Sequence, residues 1–286
     1  MTGEQVSIRT LLDETAAVIG SRHEARWLVE VATSLDGHEL DTALDEPVTV
    51  RMVQHLDAMV ARYRTGEPLA YVLGRWSFRH LDLAIDQRVL IPRPETELVA
   101  GVAIELAARC AGTRLVADLG TGSGAIGLSM AFELPLDGTT VWITDASPDA
   151  LAVARSNLAG LGRTAVNVRV GEGSWFDALP AGERFDVIVS NPPYVADDSP
   201  LLDDSVRDWE PAQALFAGRD GLAELRRIVD GAVERLAPGG WLVLEIGADQ
   251  GEAVRDLLDT AGYGSTEIRP DLAGLDRIAL GRIPAR

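Results

Sequence analysis

A chain of 286 residues is long enough for one large or two modest domains, each with its own apolar core. Its 47% hydrophobic content includes no apolar run near the length of about 18 residues that suggests a membrane span, and four scattered histidines with one cysteine supply no metal-ligand cluster. The formal net charge of −18, with every one of the 26 basic residues an arginine, disfavours nonspecific binding to DNA or RNA, because phosphate-tracking proteins carry a basic face.

Residues 1–5 show no basic segment leading into an apolar core, so no secretory signal is expected and the chain is expected in the cytoplasm. Helical patterns follow. Leu11, Leu12, Ala16 and Ile19 suggest one helix. Ser21-Arg22-His23-Glu24 reads as a capping box before a second, with Ala25, Leu28, Val29, Ala32 and Leu35 on one face. Val50, Val53, Leu56, Val60 and Tyr63 make a third, ended by Gly66. Residues 1–75 are therefore expected to form a small helical bundle without a catalytic constellation of its own. Such a bundle serves either as structural support or as a recognition surface for a large substrate.

Residues 76–92 read as a linker containing a β-hairpin. Phe78, Leu81, Leu83 and Ile85 partly alternate, and Val89-Leu90-Ile91 is apolar. Pro92-Arg93-Pro94-Glu95-Thr96-Glu97 opens the third region, residues 93–286. It is a helix start with acidic residues in the first turn, or functionally a lid beside a ligand. Cys110 falls in a helical, apolar stretch and reads as a buried structural thiol.

Strands and helices then alternate. Strand 113–119 leads to Gly120-Thr121-Gly122-Ser123-Gly124-Ala125-Ile126-Gly127 and a helix from about 124. Strand 141–145 ends in Asp145, before a helix opened by Ser147 as N-cap and Pro148 as N1. Strand 166–170 precedes Trp175. Strand 185–190 runs into Asn191-Pro192-Pro193-Tyr194. A helix near 221–236 is followed by Pro238-Gly239-Gly240 and strand 241–246. A helix near 250–261 and strands near 264–269 and 276–282 close the chain. Such alternation implies an α/β fold with a mostly parallel sheet covered on both faces.

Open sheets of this kind bind ligands at the carboxyl edge. Glycines after the first strand let the backbone turn tightly and a ligand approach closely. Gly122, Gly124 and Gly127 satisfy G-x-G-x-x-G, so a nicotinamide or flavin dinucleotide is one candidate. Asp145 suits ribose hydroxyls in either a dinucleotide or S-adenosylmethionine. Asp118 favours the latter: a carboxylate there repels a pyrophosphate but attracts an ammonium and a sulfonium. At the second edge site, proline lacks an N–H, so the turn offers carbonyl oxygens. The Asn191 side-chain oxygen and the Pro192 carbonyl can hold a planar –NH₂ group, with the Tyr194 ring against it. The plain alternative is a strand-ending turn.

Taken together, Gly66-Glu67-Pro68-Leu69-Ala70-Tyr71, Leu90-Ile91-Pro92-Arg93-Pro94-Glu95-Thr96-Glu97, Asp118 to Gly124 and Asn191-Pro192-Pro193-Tyr194 resemble the protein-glutamine N5-methyltransferases known as PrmC or HemK. The resemblance continues through Glu210-Pro211, Asp220-Gly221 and Leu244-Glu245-Ile246-Gly247 with Gln250. It implies a Rossmann-like class I methyltransferase sheet of seven strands, the last antiparallel, behind an N-terminal helical bundle. It also implies S-adenosyl-L-methionine as donor. The implied acceptor is the glutamine of the Gly-Gly-Gln loop of class 1 peptide chain release factors.

By position, Asp118 and the loop of Gly120, Thr121, Gly122, Ser123 and Gly124 would hold the methionine moiety, Asp145 the ribose, and Trp175 the adenine. Asn191 would border the cofactor and, with Pro192, Pro193 and Tyr194, hold the glutamine amide. Ser174 departs from the acidic residue expected before Trp175, which bears on the polarity of the adenine pocket. A nucleic-acid amino-group methyltransferase and a non-catalytic S-adenosylmethionine- or NAD-binding protein are the alternatives. The acidic balance weighs against the first and the intact Asn-Pro-Pro-Tyr element against the second. No direct nucleic-acid or membrane contact is expected.

Overall fold

The computed structural model describes residues 6–197 and 203–285, which form two compact units that divide between Arg75 and Trp76. Residues 1–5, on which the absence of a secretory signal was read, lie outside the described residues.

The first unit holds α1 (Ile8–Ile19), α2 (Arg22–Thr33), α3 (Gly37–Thr42), α4 (Val50–Tyr63) and α5 (Leu69–Leu73). Its core joins Leu11 and Leu12 to Leu28, Val29, Leu56 and Met59. The capping box at α2 forms in one direction. Ser21 Oγ accepts from the Glu24 N–H, but the Glu24 carboxylate accepts from the Tyr63 hydroxyl at 2.7 Å. The short helices α3 and α5 carry too few turns to show a period in the sequence.

The second unit opens with a hairpin of β1 (Arg75–Phe78) and β2 (Leu81–Ala84). It is shorter than the segment from which it was expected. Val89 and Ile91 are buried as irregular chain before α6 (Pro94–Ala108), so their apolar character reflects burial and no strand. Cys110 lies past the end of α6 and is only partly buried.

There follow β3 (Arg114–Leu119), α7 (Ala125–Glu133), β4 (Thr139–Asp145), α8 (Pro148–Gly160), β5 (Val168–Glu172), β6 (Phe185–Ser190) and α9 (Asp204–Trp209). The chain ends with α10 (Ala223–Arg235), β7 (Leu236–Glu245), α11 (Gly251–Thr260), β8 (Ser265–Pro270) and β9 (Asp276–Arg282). Ser147 caps α8 through the Ala150 N–H, with Pro148 in the first turn as expected. β5 starts two residues later than expected because Gly162–Asn167 form a 3₁₀ turn. β7 starts five residues earlier, running through Pro238-Gly239-Gly240 with a register break opposite Phe185 and Val187.

The seven strands lie in the order β5-β4-β3-β6-β7-β9-β8, parallel except for the antiparallel pairings of β9. Alternation of side chains sorts the two faces. Ala117 and Leu119 of β3 join Ile188, Leu242 and Leu244 in a core with Leu225 and Ile228 of α10. Asp118 points to the other face, where its carboxylate meets the start of α7. β3 and β6 are neighbours, so the Gly120–Gly124 loop and Asn191 leave the sheet side by side at its carboxyl edge. Among the described residues no helix is long and apolar enough to cross a membrane.

Candidate active site

Both elements that leave the sheet there open on one cavity of ≈ 280 Å³. Asp118, Gly120, Thr121, Gly122, Ser123 and Asp145 line it, as do Trp175, Asn191, Pro193 and Thr96. Gly124, Pro192 and Tyr194 do not line it. Gly124 caps α7 at φ +89°, where a Cβ would stand 2.6 Å from Leu128 Cδ1.

The Asp118 carboxylate sets the first wall. Its Oδ2 accepts from the Thr121 hydroxyl at 2.5 Å and from the Gly127 N–H at 2.9 Å. Its Oδ1 is buried without a hydrogen-bond partner. Burial pushes the carboxyl up to about 6, against the pull of those two donors. A buried acceptor without a donor costs stability, and Asp118 is one of the residues that line the cavity. Gly127 has no room for a side chain, since a Cβ would lie 2.3 Å from Ile143 Cγ2.

Asp145 is held by the backbone. Its Oδ2 accepts from the Gly122 N–H and its Oδ1 from the Ser147 N–H, both at 2.9 Å. Burial raises its pKa while these N–H groups lower it. Trp175 is held at φ +45°, a strained value for a bulky residue. Its ring packs on Gly120, where a Cβ would come within 3.2 Å of it. The indole N–H donates to Glu224 Oε2 at 2.7 Å, so a carboxylate reaches this part of the cavity from α10, while Ser174 lines it from the preceding position.

The second wall is assembled from distant segments. Asn191 Nδ2 donates to Thr96 Oγ1 at 3.1 Å, and that hydroxyl donates to Glu245 Oε2 at 2.7 Å. The Tyr194 hydroxyl donates to Glu245 Oε1 at 3.2 Å. Glu245 is 1% exposed, and burial pushes its carboxyl up to about 7. Burial and the Glu245 charge raise the Tyr194 pKa, keeping the phenol protonated.

Gln250 clamps the backbone behind. It donates to the carbonyls of Tyr194 and Gly221 and accepts from the Gly247 N–H at 2.8 Å. Arg93 pairs with Glu210, whose other oxygen accepts from the Ile91 N–H at 3.1 Å. These bonds give the Pro92–Glu97 run and the Glu210-Pro211 pair a common purpose. Arg88, Val89, Leu90 and Pro92 border the cavity beside them.

Thr96, Glu210, Glu245 and Gln250 were not singled out as site residues from the sequence. The available signal was a polar side chain where core or a strand end is expected: Glu245 closes the apolar run Trp241-Leu242-Val243-Leu244, and Gln250 precedes α11.

The model of the PrmC N-terminal domain matches residues 11–74, and that of the methyltransferase small domain matches residues 103–204. A release factor glutamine methyltransferase from Xylella fastidiosa is 44% identical over 263 residues, covering 92% of this chain and 94% of its own. One from Bordetella pertussis is 44% identical over 274 residues, covering 95% and 99%. A methyltransferase structure from Pyrococcus furiosus shares the fold, with a TM-score of 0.54 at 19% identity over 79% of this chain and 98% of that one. The chain belongs to the release factor glutamine methyltransferase family.

Proposed function

We propose that this chain transfers a methyl group from S-adenosyl-L-methionine to the side-chain amide nitrogen of the glutamine in the Gly-Gly-Gln motif of class 1 release factors. One observation carries the reading: Asp118, which holds a buried oxygen without a partner, and Asn191 line the same cavity. A cationic ligand and an amide acceptor thus have places within one enclosure.

The residues fit S-adenosylmethionine. Asp118 would meet the methionine ammonium, Gly120 to Ser123 would border that moiety, Asp145 would hold the ribose, and Trp175 the adenine. When bound, S-adenosylmethionine supplies a methyl group on a sulfonium, an electrophile that needs no further activation.

The protein's task is to place the acceptor. An amide nitrogen is a weak nucleophile because its lone pair is delocalised. Asn191 Oδ1 would accept from one of its N–H groups and the carbonyl of Pro192, which stands between the lining residues Asn191 and Pro193, from the other, raising electron density on nitrogen and aiming its lone pair. Pro193 and Tyr194 keep the turn in shape. These acceptors gain strength as the nitrogen becomes cationic, so they favour the transition state over the ground state. Orientation of the two reactants supplies much of the rest.

The N-terminal unit, residues 1–75, is assigned to docking the release factor, because a stable protein interface buries on the order of 800 Å² per side. A chain beginning near Pro68 that keeps S-adenosylmethionine affinity should lose kcat/KM on an intact factor more steeply than on a short Gly-Gly-Gln peptide. Equal proportional losses would reassign the bundle to structural support. This reading places the enzyme in the cytoplasm with a protein partner and no direct nucleic-acid contact.

Incubation with labelled S-adenosylmethionine and either a release factor or DNA tests the reading. Label in the factor and none in DNA is expected; label in DNA alone overturns it.

A further inference from the structure

We propose that Thr96 is a positioning residue for methyl transfer: anchored by Glu245, it fixes which end of the Asn191 amide faces the acceptor. The inference rests on the function proposed above and adds to it the residues that set the polarity of the grip.

The direction follows from proton counting. An ionised carboxylate only accepts hydrogen bonds, and a threonine hydroxyl has one proton to donate. Thr96 Oγ1 lies 2.7 Å from Glu245 Oε2, so its proton points there. The other carboxylate oxygen takes the Tyr194 hydroxyl. Thr96 Oγ1 is left with lone pairs toward Asn191, and only an N–H can meet them. Nδ2 occupies that place at 3.1 Å. The Asn191 oxygen is thereby turned away from Thr96, and we assign it to the acceptor amide. A flipped Asn191 would set two oxygens against each other without a proton between them and would offer an NH₂ group to the substrate NH₂.

Thr96 is 4% exposed and Glu245 1%, so water is poorly placed to replace either bond. Thr96 borders the cavity and Glu245 does not, which makes Thr96 the link between a buried charge and the Asn191 amide.

The chain of donors works only while Glu245 is ionised. Protonated Glu245 can donate to Thr96, whose own proton then turns toward Asn191 and favours the flipped amide. Burial raises the Glu245 carboxyl to about 7, with Glu95 adding to the rise and Thr96, Arg277 and Tyr194 opposing it. Turnover at saturating substrates should therefore climb with pH through about 7.

The test compares kcat, KM for a release factor and S-adenosylmethionine affinity in wild type, Thr96→Val, Thr96→Ser, Asn191→Ala and the Asn191→Ala/Thr96→Val double variant. Thr96→Val should lower kcat on the order of tenfold by removing one buried hydrogen-bond partner, with cofactor affinity unchanged. Thr96→Ser should restore most of the rate. Thr96→Val should have little further effect when Asn191 is already alanine, because the two act as one unit. Full kcat in Thr96→Val, or losses that multiply in the double variant, would overturn the proposal. Should Thr96→Val fail to fold, Glu245→Gln decides: the pH dependence near 7 should vanish, and its survival overturns the proposal. A wild-type enzyme that does not methylate the factor would instead refute the function itself.

Discussion

On the glycine-loop wall, Asp118 meets Thr121 and Gly127 across three and nine residues of chain. On the amide wall, Asn191 reaches Thr96 across 95 residues, and Thr96 reaches Glu245 across 149. One wall is built mostly within the β3–α7 loop and its neighbouring strand β4; the other joins segments about a hundred residues or more apart. The difference separates two kinds of failure. Damage to the local wall should show as lost ligand affinity. Damage to the assembled wall should show as lost turnover, because what it holds is orientation.

The largest effect should come from Asn191→Ala. Removing one preorganised hydrogen-bond partner of the reacting group lowers kcat by about 10²–10³, while the S-adenosylmethionine dissociation constant measured by calorimetry stays near wild type. Unchanged turnover would erase the distinction between the walls.

Asp118→Asn sharpens the contrast from the other side. The substitution keeps an acceptor for Thr121 and Gly127 but removes the charge, and hydrogen bonds to charged groups are worth roughly 1.5–3 kcal/mol. Cofactor affinity should fall about 10- to 100-fold by that figure. The free enzyme should gain stability above pH 6, for a reason of sign. The folded-state pKa is raised to about 6 from an ordinary 3.8, so the native state holds this proton more tightly than the unfolded chain does. The resulting stabilisation is complete below the unfolded pKa and is lost as pH rises through about 6. Thermal unfolding at pH 5 and pH 8 should show the asparagine variant less sensitive to this rise. A lower melting temperature at pH 8 than wild type would contradict it.

A smaller effect is expected from Gln250→Ala. The loss unties the Tyr194 and Gly221 carbonyls and the Gly247 N–H. About 1–3 kcal/mol of stability should go with these buried partners, with a lower kcat and an unchanged affinity for S-adenosylmethionine. An affinity loss larger than the kcat loss would place Gln250 with the wrong wall.

The same contrast explains what could be read before folding. The glycines, Asp118, Asp145 and the Asn-Pro-Pro-Tyr turn stand at strand ends, and strand ends are visible as the close of apolar runs. The parallel sheet followed from the strand–helix alternation. Thr96 and Glu245 were hidden because each looked ordinary alone: a threonine in an acidic first turn of α6, and a glutamate ending β7. Only the adjacency of α6, β6 and β7 joins them. Trp175 was flagged by position, whereas its positive φ and its bond to Glu224 belong to the folded chain. The early start of β7 was obscured by Pro238-Gly239-Gly240, which reads as a turn but is absorbed as an irregularity where Gly240 passes Phe185 too closely for a side chain.

The most direct measurement is mass-spectrometric mapping of a class 1 release factor after incubation with this enzyme and S-adenosylmethionine. The account predicts one methyl group, on the side-chain nitrogen of the Gly-Gly-Gln glutamine, strongly reduced with Asn191→Ala and absent when that glutamine is replaced. Methylation at another residue of the factor, or none on the factor alongside methylated DNA, would contradict it.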